Sequence, residues 1–332
     1  MKEILNRLIN QETISKQEAK GVLVNISRGL YNPSQIASFL TVYMMRSISV
    51  EELDGFREAL LELCLPVDLS DHDTIDLCGT GGDGKNTFNI STLASFVTAG
   101  AGVKVAKHGN YGVSSACGSS NVLEFLGIKF SNQEANLQRS IDRAGICILH
   151  APLFHPAMKN VAPIRRELGV KTFFNMLGPM VNPSFPKNQM VGVFNLELAR
   201  MYGYLYQTTD KNYAILHDLA GYDEISLTDR TKMITNREDK IFDPSDLGLQ
   251  GISREAIFGG NTVKESAAIF VQVLNGKGTE AQNNVVCANA GMAISVAGNL
   301  DHKTGFEMAQ EALKSKKALT AFNKLLEISN QN

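Results

Sequence analysis

The sequence predicts an α/β protein in which a small N-terminal helical domain precedes a larger domain with a mainly parallel sheet flanked by helices. Apolar residues follow helical spacing through the first 64 residues, and beyond them short β-rich runs alternate with helical stretches. The 332 residues are 44% hydrophobic, which is enough to bury a sizeable core, and a chain of this length is expected to form two domains.

The helical domain is predicted at residues 1–66. Its apolar positions recur three and four residues apart, and no strand-like alternation interrupts them. Asn32-Pro33-Ser34 is typical of a helix start, and Leu65-Pro66 ends the run of helices. We expect a helical segment near 165–185 to join this domain.

The large α/β domain is predicted at residues 72–332. Its strands and helices alternate, which favours parallel strands, and ligands of such sheets bind beyond the carboxyl ends of the strands. The proline-containing segment Asn175–Gln189 is interpreted as an ordered loop. The predicted strands are 74–78, 103–106, 146–149, 190–194 and 213–217, and the predicted helices lie near 92–101, 119–127, 132–144, 196–207, 262–274, 282–297 and 303–328.

The stretch Asp76–Thr92, DLCGTGGDGKNTFNIST, is interpreted as a strand, a glycine turn and the start of a helix. The N–H groups of such a turn and the positive end of the helix dipole suit an anion such as a phosphate. Ser91 and Thr92 stand where helix-capping residues belong. The Walker pattern does not fit, because Gly84-Lys85 is followed by Asn86 rather than by serine or threonine. A purely structural tight turn is the alternative.

A second glycine-rich stretch, Val103–Gly127, has the same design. Lys107 ends the preceding strand, where a lysine faces the ligand crevice and can bind a phosphate as a point charge. A solvated surface lysine is the alternative. Two such turns after neighbouring strands suit a ligand with two separated anionic groups. Gly109 and Gly112 free the backbone, and hydroxyl groups are supplied by Ser114, Ser115, Ser119 and Ser120.

Asp223 and Glu224 are adjacent acids in a turn that follows another predicted strand. Mg²⁺ takes carboxylate oxygens together with substrate phosphates, so beside a diphosphate this pair is a candidate metal clamp. A solvated pair of surface acids is the alternative.

Arg165 and Arg166 lie about 100° apart on a predicted helix, so that one can face inward while the other stays in water. An inward arginine offers a planar fork that suits a carboxylate. A surface pair is the alternative.

Composition narrows the classes of partner. The formal net charge of −2 and the isoelectric point near 6.3 provide no overall attraction to nucleic acid or to an acidic membrane. The five cysteines are scattered and never spaced C-x-x-C, which argues against a disulfide framework or a zinc site and favours a reducing cytosol. No apolar run approaches membrane-spanning length, and the N-terminus lacks a secretory pattern, so we expect a cytoplasmic protein without nucleic-acid or membrane partners.

Several motifs stand in one order along the chain: GTGGDG (79–84), Asn89–Thr92, KHGN (107–110), Gly118-Ser119-Ser120, HPAMKNVAPIRRELG (155–169), FNMLGPMVNP (174–183) and DEIS (223–226). In these motifs the chain resembles the anthranilate phosphoribosyltransferases, which are enzymes of tryptophan biosynthesis. The resemblance extends over essentially the whole chain and is far more specific than one glycine turn. It implies a homodimer of two-domain subunits, formed through the helical domain, with the substrates meeting at a hinge between the domains.

The family resemblance also implies a reaction: the phosphoribosyl group of 5-phosphoribosyl 1-diphosphate is transferred to the amine of anthranilate, and diphosphate is released. It implies Mg²⁺ as the cofactor, with two ions per subunit. The matching magnesium ligands are Ser91, Asp223 and Glu224, and the matching anthranilate contacts are Gly79, Asn110 and Arg165. The residues that match the phosphoribosyl diphosphate contacts are Gly79, Gly82, Asp83, Thr87, Asn89, Ile90, Ser91, Thr92, Lys107, His108, Gly109, Asn110, Tyr111, Gly112, Val113, Ser114, Ser115 and Ser119.

One residue departs from the family pattern, because many members have an arginine where this chain has Tyr111. Without that charge we expect main-chain contacts at this loop. No covalent nucleophile or general base is assigned, since a metal ion and oriented N–H donors stabilise a leaving diphosphate without proton transfer. Two alternatives remain: a nucleoside phosphorylase, which needs no acidic metal clamp, and a non-catalytic relative that binds nucleic acid through a basic face.

Overall fold

The computed structural model describes residues 1–112 and 117–331, and it divides the chain into two units. None of the helices in these described ranges is long and apolar enough to cross a membrane. Each unit draws on two stretches of chain: the first on Met1–Val67 and Ala151–Pro183, the second on Asp68–His150 and Ser184–Asn332.

Helices and strands are numbered in chain order. The helices are α1 (Lys2–Ile9), α2 (Lys16–Ser27), α3 (Pro33–Met45), α4 (Val50–Glu62), α5 (Ile90–Gly100), α6 (Ser119–Phe125), α7 (Glu134–Ala144), α8 (Ala151–Phe154), α9 (Ala162–Leu168), α10 (Phe174–Leu177), α11 (Leu196–Tyr206), α12 (Val263–Leu274), α13 (Glu280–Gly298), α14 (His302–Lys314) and α15 (Lys317–Ser329). The strands are β1 (Ile75–Gly79), β2 (Val105–Gly109), β3 (Ile146–His150), β4 (Asn188–Gly192), β5 (Asn212–Asp218), β6 (Thr231–Thr235) and β7 (Asp239–Phe242). Short 3-10 helices cover Pro156–Asn160, Gly178–Met180, Pro244–Leu247 and Arg254–Ile257.

The first unit is helical, and its core joins the N-terminal helices to the second stretch of the unit. Phe173, from that stretch, stacks on Phe56 of α4 with ring centroids 4.4 Å apart. Phe39 and Tyr43 of α3 meet the Phe173 ring edge-on, and such aromatic pairs add to the gain from burying apolar surface. The predicted helix start is confirmed, because Asn32 closes a capping box at the beginning of α3.

The second unit is built on a sheet that, within the described residues, has seven strands in the order β3-β2-β1-β4-β5-β6-β7. Strands β1 to β5 pair in parallel, and β6 and β7 pair antiparallel. The predicted fold class is confirmed, and each predicted strand is present with slightly shifted ends. The chain leaves β1 toward β2 on one side and returns to β4 on the other, which makes the β1/β4 boundary the switch point where open α/β sheets bind ligands.

Three sequence predictions about this architecture need correction. Strands β6 and β7 were not predicted, because no apolar run marks them: β6 buries only Thr231 and Met233, and β7 buries only Phe242. The predicted helix 303–328 is two helices, since Lys316 between α14 and α15 has a left-handed φ of 61°. The predicted loop Asn175–Gln189 includes most of α10, a 3-10 turn and the start of β4.

Two buried helices pack on the central strands of the sheet. Helix α5 packs against β1 and β2, and α13 packs against β4, β5 and α5. Helix α13 is buried over its middle turns, from Val285 to Ser295. An ideal Cβ on Gly291 would lie 2.6 Å from the Cα of Phe306, so the glycine lets α13 and α14 touch. Because the chain enters α5 directly from β1 through the glycine turn, the start of α5 lies at the carboxyl edge of the sheet.

Candidate active site

The candidate site of the second unit lies at the switch point between β1 and β4. Gly79, the last residue of β1, is the register partner of Gly192, the last residue of β4. An ideal Cβ on Gly79 would overlap the carboxylate of Asp223, and one on Gly192 would overlap the main chain of Asp223. The paired glycines therefore create the space in which this acid lies.

The acidic pair is held by the glycine turn and by the first turn of α5. The Asp223 carboxylate accepts a hydrogen bond from the amide of Gly81 at 2.7 Å, and the Glu224 carboxylate accepts one from the amide of Ser91 at 2.8 Å. In each of these two hydrogen bonds, the donor and the acceptor residue are more than a hundred positions apart in the chain. The structure thus brings together Ser91, Asp223 and Glu224, the three residues that matched the family's magnesium ligands.

The carboxylates of the site repel one another in poorly solvated surroundings. Burial raises the pKa of Asp223 well above its usual range, and the charges of Asp83 and Glu224 add to the rise. Burial also raises the pKa of Glu224, to about 7, although the hydrogen bond from Ser91 acts in the opposite direction. A bound cation would relieve this repulsion, because a nearby positive charge favours ionised carboxylates.

The donor set fits a hard divalent cation that shares its coordination with a substrate. Carboxylate and hydroxyl oxygens are the ligands of Mg²⁺, which is commonly held by one or two carboxylates plus substrate phosphates and water. Among the residues that the structure describes, no group of three or more His, Cys, Asp or Glu side chains is arranged to hold a metal ion by itself. Asp223, Glu224 and Ser91 offer two carboxylates and one hydroxyl, which are oxygen donors of the type that Mg²⁺ takes.

The glycine turn has the backbone that the sequence predicted. Gly81, Gly82 and Gly84 have φ values of 66°, 81° and 72°, in the left-handed region that favours glycine. The Asp83 carboxylate accepts a hydrogen bond from the amide of Lys85 at 3.0 Å, inside the turn. Such a sequence of left-handed residues can turn successive amides toward one side, the arrangement that binds anions.

The start of α5 differs from the prediction. The helix begins at Ile90, and Asn89 is its N-cap residue, without a side-chain capping bond among the described residues. Ser91 and Thr92 lie in the first turn, so the prediction that they cap the helix was wrong. The carboxylate of Glu224 instead accepts from the Ser91 amide, which a capping side chain would otherwise satisfy.

Lys107 lies in the middle of β2 rather than at its end, where the sequence analysis placed it, and it is buried rather than solvated. The residue is 2% exposed, and its ammonium donates to the carbonyl oxygen of Leu77 in β1. Burial lowers the pKa of Lys107, while the nearby Cys78, Asp76 and Glu224 favour its charged form. The surface-lysine alternative was therefore wrong. The carboxylate of Asp76 in β1, which the sequence analysis did not single out, accepts from the amide of His108 at 3.1 Å and so helps to position the carboxyl end of β2.

The segment after β2 contacts the start of α6. An ideal Cβ on Gly109 would lie 2.7 Å from the hydroxyl oxygen of Ser119, and that hydroxyl donates to the carbonyl oxygen of Asn110 at 3.2 Å. Three predicted residues of this stretch, Val113, Ser114 and Ser115, lie outside the residues that the structure describes.

Tyr111 is 39% exposed and contacts other side chains of the second unit. Its ring meets the ring of His150 edge-on with centroids 4.8 Å apart, and its hydroxyl donates to the carboxylate of Glu124 at 3.4 Å. The His150 ring also stacks on Phe130, and its Nδ1 pairs with the hydroxyl of Ser120 at 2.9 Å. Tyr111 thus anchors the segment through packing.

Arg165 belongs to the first unit, on α9. Its guanidinium donates to the side-chain oxygen of Asn175 at 3.2 Å and lies 5.3 Å from the ring centroid of Phe174. Burial lowers the pKa of Arg165 from its usual value. Arg166, the next residue, is exposed, so one of the two arginines is partly buried and the other solvated, as the helical spacing predicts.

Comparison with known proteins identifies the family. The helical bundle domain of a glycosyl transferase family matches residues 2–64, and the a/b domain of a glycosyl transferase family matches residues 71–319. The chain is 72% identical to an anthranilate phosphoribosyltransferase of Flavobacterium psychrophilum over 99% of this chain and 100% of that protein. It is 54% identical to one of Cytophaga hutchinsonii over 98% of this chain and 99% of that protein.

Solved structures agree with this result. The anthranilate phosphoribosyltransferase of Thermus thermophilus has a TM-score of 0.91 and 31% identity, with 98% of each chain covered. That of Saccharomyces cerevisiae, in complex with PRPP and Mg, has a TM-score of 0.90 and 25% identity over 99% of this chain and 97% of the other. The resemblance found in the motifs is confirmed, and the chain belongs to the anthranilate phosphoribosyltransferases of the glycosyl transferase family.

Proposed function

We propose that this protein transfers the phosphoribosyl group of 5-phosphoribosyl 1-diphosphate to the amine of anthranilate, giving N-(5-phosphoribosyl)anthranilate and diphosphate in tryptophan biosynthesis. The observation that carries the proposal is the acidic pair of Asp223 and Glu224 on the amides of the glycine turn and of α5. The 72% identity over the full length to the anthranilate phosphoribosyltransferase of Flavobacterium psychrophilum supports the proposal. The biosynthetic role leads us to propose a cytoplasmic location as well.

The chemistry follows from charge on the leaving group. Breaking the bond between the ribose and diphosphate leaves an oxocarbenium-like sugar and a strongly anionic product. Preorganised N–H donors stabilise such a charge without having to reorganise during the reaction. The amides of Gly81 and Ser91 hold the acidic pair, so the groups that we propose for the leaving diphosphate are other amides of the glycine turn and the positive end of the α5 dipole, at the same edge of the sheet.

Ser91, Asp223 and Glu224 are the residues that we propose hold Mg²⁺, with two ions per subunit. When bound, the metal supplies positive charge that neutralises diphosphate. The protein positions the donors: Gly79 and Gly192 make room for Asp223, and the Ser91 amide orients Glu224. The Saccharomyces cerevisiae relative was solved in complex with PRPP and Mg, which supports Mg²⁺ as the metal.

The two proposed substrate sites share Gly79 and Asn110, and Arg165 is assigned to anthranilate alone. For the donor we propose the turn at 79–92 and the segment 107–115 with Ser119. For anthranilate we propose Gly79, Asn110 and Arg165, because the guanidinium of an arginine matches a carboxylate with two parallel hydrogen bonds. The amine of anthranilate has a free lone pair at neutral pH, so placement contributes more than activation.

An assay in which one component is omitted at a time tests the proposal. Anthranilate fluorescence should fall only when 5-phosphoribosyl 1-diphosphate, Mg²⁺ and the protein are all present, with diphosphate formed in equal amount. A parallel assay with thymidine or uridine and inorganic phosphate tests whether the protein is a nucleoside phosphorylase instead. Cleavage of either nucleoside without consumption of anthranilate would overturn the proposed function.

A further inference from the structure

Asn121, in the first turn of α6, joins two segments through one oxygen atom. Its Oδ1 accepts a hydrogen bond from the amide of Gly118 at 3.0 Å and another from the amide of Gly112 at 2.9 Å. The bond to Gly118 belongs to the capping of α6, because Gly118 is its N-cap residue. The bond to Gly112 plays no part in the helix and connects α6 to the segment that follows β2.

The main chains of the two segments are in direct contact beside this oxygen. An ideal Cβ on Gly118 would overlap the amide nitrogen of Gly112 and would lie 2.5 Å from the carbonyl carbon of Tyr111. Any residue with a side chain at position 118 would therefore push the segments apart. A glycine at 118 and an acceptor at 121 are both needed for the contact.

Residues of the proposed substrate site lie on both sides of this contact. The carbonyl oxygen of Asn110 accepts from the hydroxyl of Ser119 and from the amide of Ser120, each at 3.2 Å. We propose that Asn121 is a positioning residue for the phosphoribosyl donor, because its side-chain oxygen holds the Asn110–Gly112 segment against the start of α6. This inference rests on the proposed function.

The expected effect differs from that of an ordinary helix cap. Loss of the oxygen leaves the Gly112 amide without its acceptor, and the segment then has more conformations available before the donor binds. Ordering the segment is part of the cost of binding, so the loss should weaken the donor complex. A residue that only caps α6 would change the stability of the helix and leave donor binding unchanged.

The experiment compares Asn121→Ala with Asn121→Asp. The aspartate side chain has the same length as that of asparagine and keeps an oxygen that can accept from both N–H groups. We expect Asn121→Ala to raise the KM and the Kd for 5-phosphoribosyl 1-diphosphate, measured with Mg²⁺, by about tenfold, the order expected from one lost hydrogen bond. Its kcat should stay within about twofold, since the reacting groups are retained. Asn121→Asp should resemble the wild type in both constants.

Gln282→Ala is the matched control, because Gln282 makes the same type of capping bond, 3.0 Å from the Thr279 amide, at the start of α13. Hydrogen–deuterium exchange of a peptide covering 105–112 should quicken in Asn121→Ala and remain unchanged in the control. An unchanged donor KM in folded Asn121→Ala would overturn the inference, as would equal weakening by Asn121→Asp. If the wild-type protein consumed no anthranilate, the proposed function would fail, whereas the exchange measurement would still report on the contact.

Discussion

At the scale of single residues, the candidate site depends on two glycines that make room for one acid. Gly79 and Gly192 are partners in the β1/β4 register, and Asp223 occupies the space above both. Gly79 and Asp223 were predicted from the sequence as site residues, whereas Gly192 was missed. Nothing near Gly192 in the chain marks it, because its importance comes from the strand beside which it lies.

Gly192→Ala should lower kcat/KM about a hundredfold, since a shift of about 1 Å at a catalytic group costs that order of rate. The added Cβ would overlap the main chain of Asp223 and displace its carboxylate. Steady-state kinetics of the folded variant provide the measurement. Gly251→Ala is the control, because the nearest atom to its Cβ would be 3.8 Å away. Wild-type kinetics in Gly192→Ala would show that Asp223 does not need this position.

Replacing both acids, Asp223→Asn with Glu224→Gln, should reduce turnover by about 10²–10³, the order found when one preorganised electrostatic contribution is removed. The dependence of the rate on Mg²⁺ concentration should change as well, because the proposed ligands lose their charge. Turnover measured over a magnesium series tests both expectations. Asp229→Asn, an exposed acid of the same loop, is the control. An unaltered magnesium dependence in the double variant would remove the metal role.

At the scale of elements, the sequence predicted the glycine turn and the existence of α5 but not the way the helix begins. Apolar spacing identifies the helix and glycines identify the turn, since both depend on neighbouring residues. The donor that a cap would satisfy, the amide of Ser91, is instead bound by Glu224 from another loop. Sequence patterns predict a capping group from a neighbouring residue, whereas here the tertiary structure provides the acceptor from a residue that is distant in the chain.

Helix α9 offers a matched pair of arginines for testing anthranilate recognition. Arg165→Ala should raise the KM for anthranilate about tenfold or more and change that for the phosphoribosyl donor far less, because a hydrogen bond to a charged group contributes about 1.5–3 kcal/mol. Arg166→Ala, which removes the exposed neighbour, should leave both constants near the wild type. Equal behaviour of the two variants would indicate that Arg165 has no part in binding the carboxylate.

The contact between α13 and α14 is predicted to be sensitive to a single methyl group. Gly291→Ala should lower the free energy of unfolding by about 1–3 kcal/mol, because overpacking moves main chain that has no room to shift. Its Cβ would lie 2.6 Å from the Cα of Phe306. Denaturant unfolding measures the effect. Gly203→Ala in α11, where the nearest atom would be 3.7 Å away, should be neutral or slightly stabilising. A neutral Gly291→Ala would contradict the close contact.

At the scale of the whole molecule, the first unit is assembled from two stretches that are distant in the chain. Phe173 of the second stretch completes the aromatic cluster of α3 and α4. The sequence led us to expect that a helical segment near 165–185 joins the helical domain. The surface of this unit also exposes apolar side chains on α1 and α3: Ile9 is 61% exposed and Met45 is 77% exposed.

We predict that this surface forms the homodimer that the family resemblance implies. Met45→Glu should convert the dimer to a monomer at micromolar concentration, because an unpaired charge is costly in the core of an interface. Size-exclusion chromatography with light scattering over a concentration series measures the mass. Ile241→Glu, at an exposed apolar position of the second unit, is the control. A monomeric wild type, or a dimer unaffected by Met45→Glu, would contradict the prediction.

By itself, the sequence determined the class of fold, the first glycine turn, the presence of the acidic pair and the family. These features depend on the order and spacing of neighbouring residues, which decide whether a segment forms a helix, a strand or a turn. Only the tertiary structure decided that Gly192 lies opposite Gly79, that Glu224 reaches Ser91 and that Lys107 is buried. Strand register and helix packing bring such residues together. The energy of these contacts depends on pairs of residues that are distant in the sequence, so no local pattern predicts them.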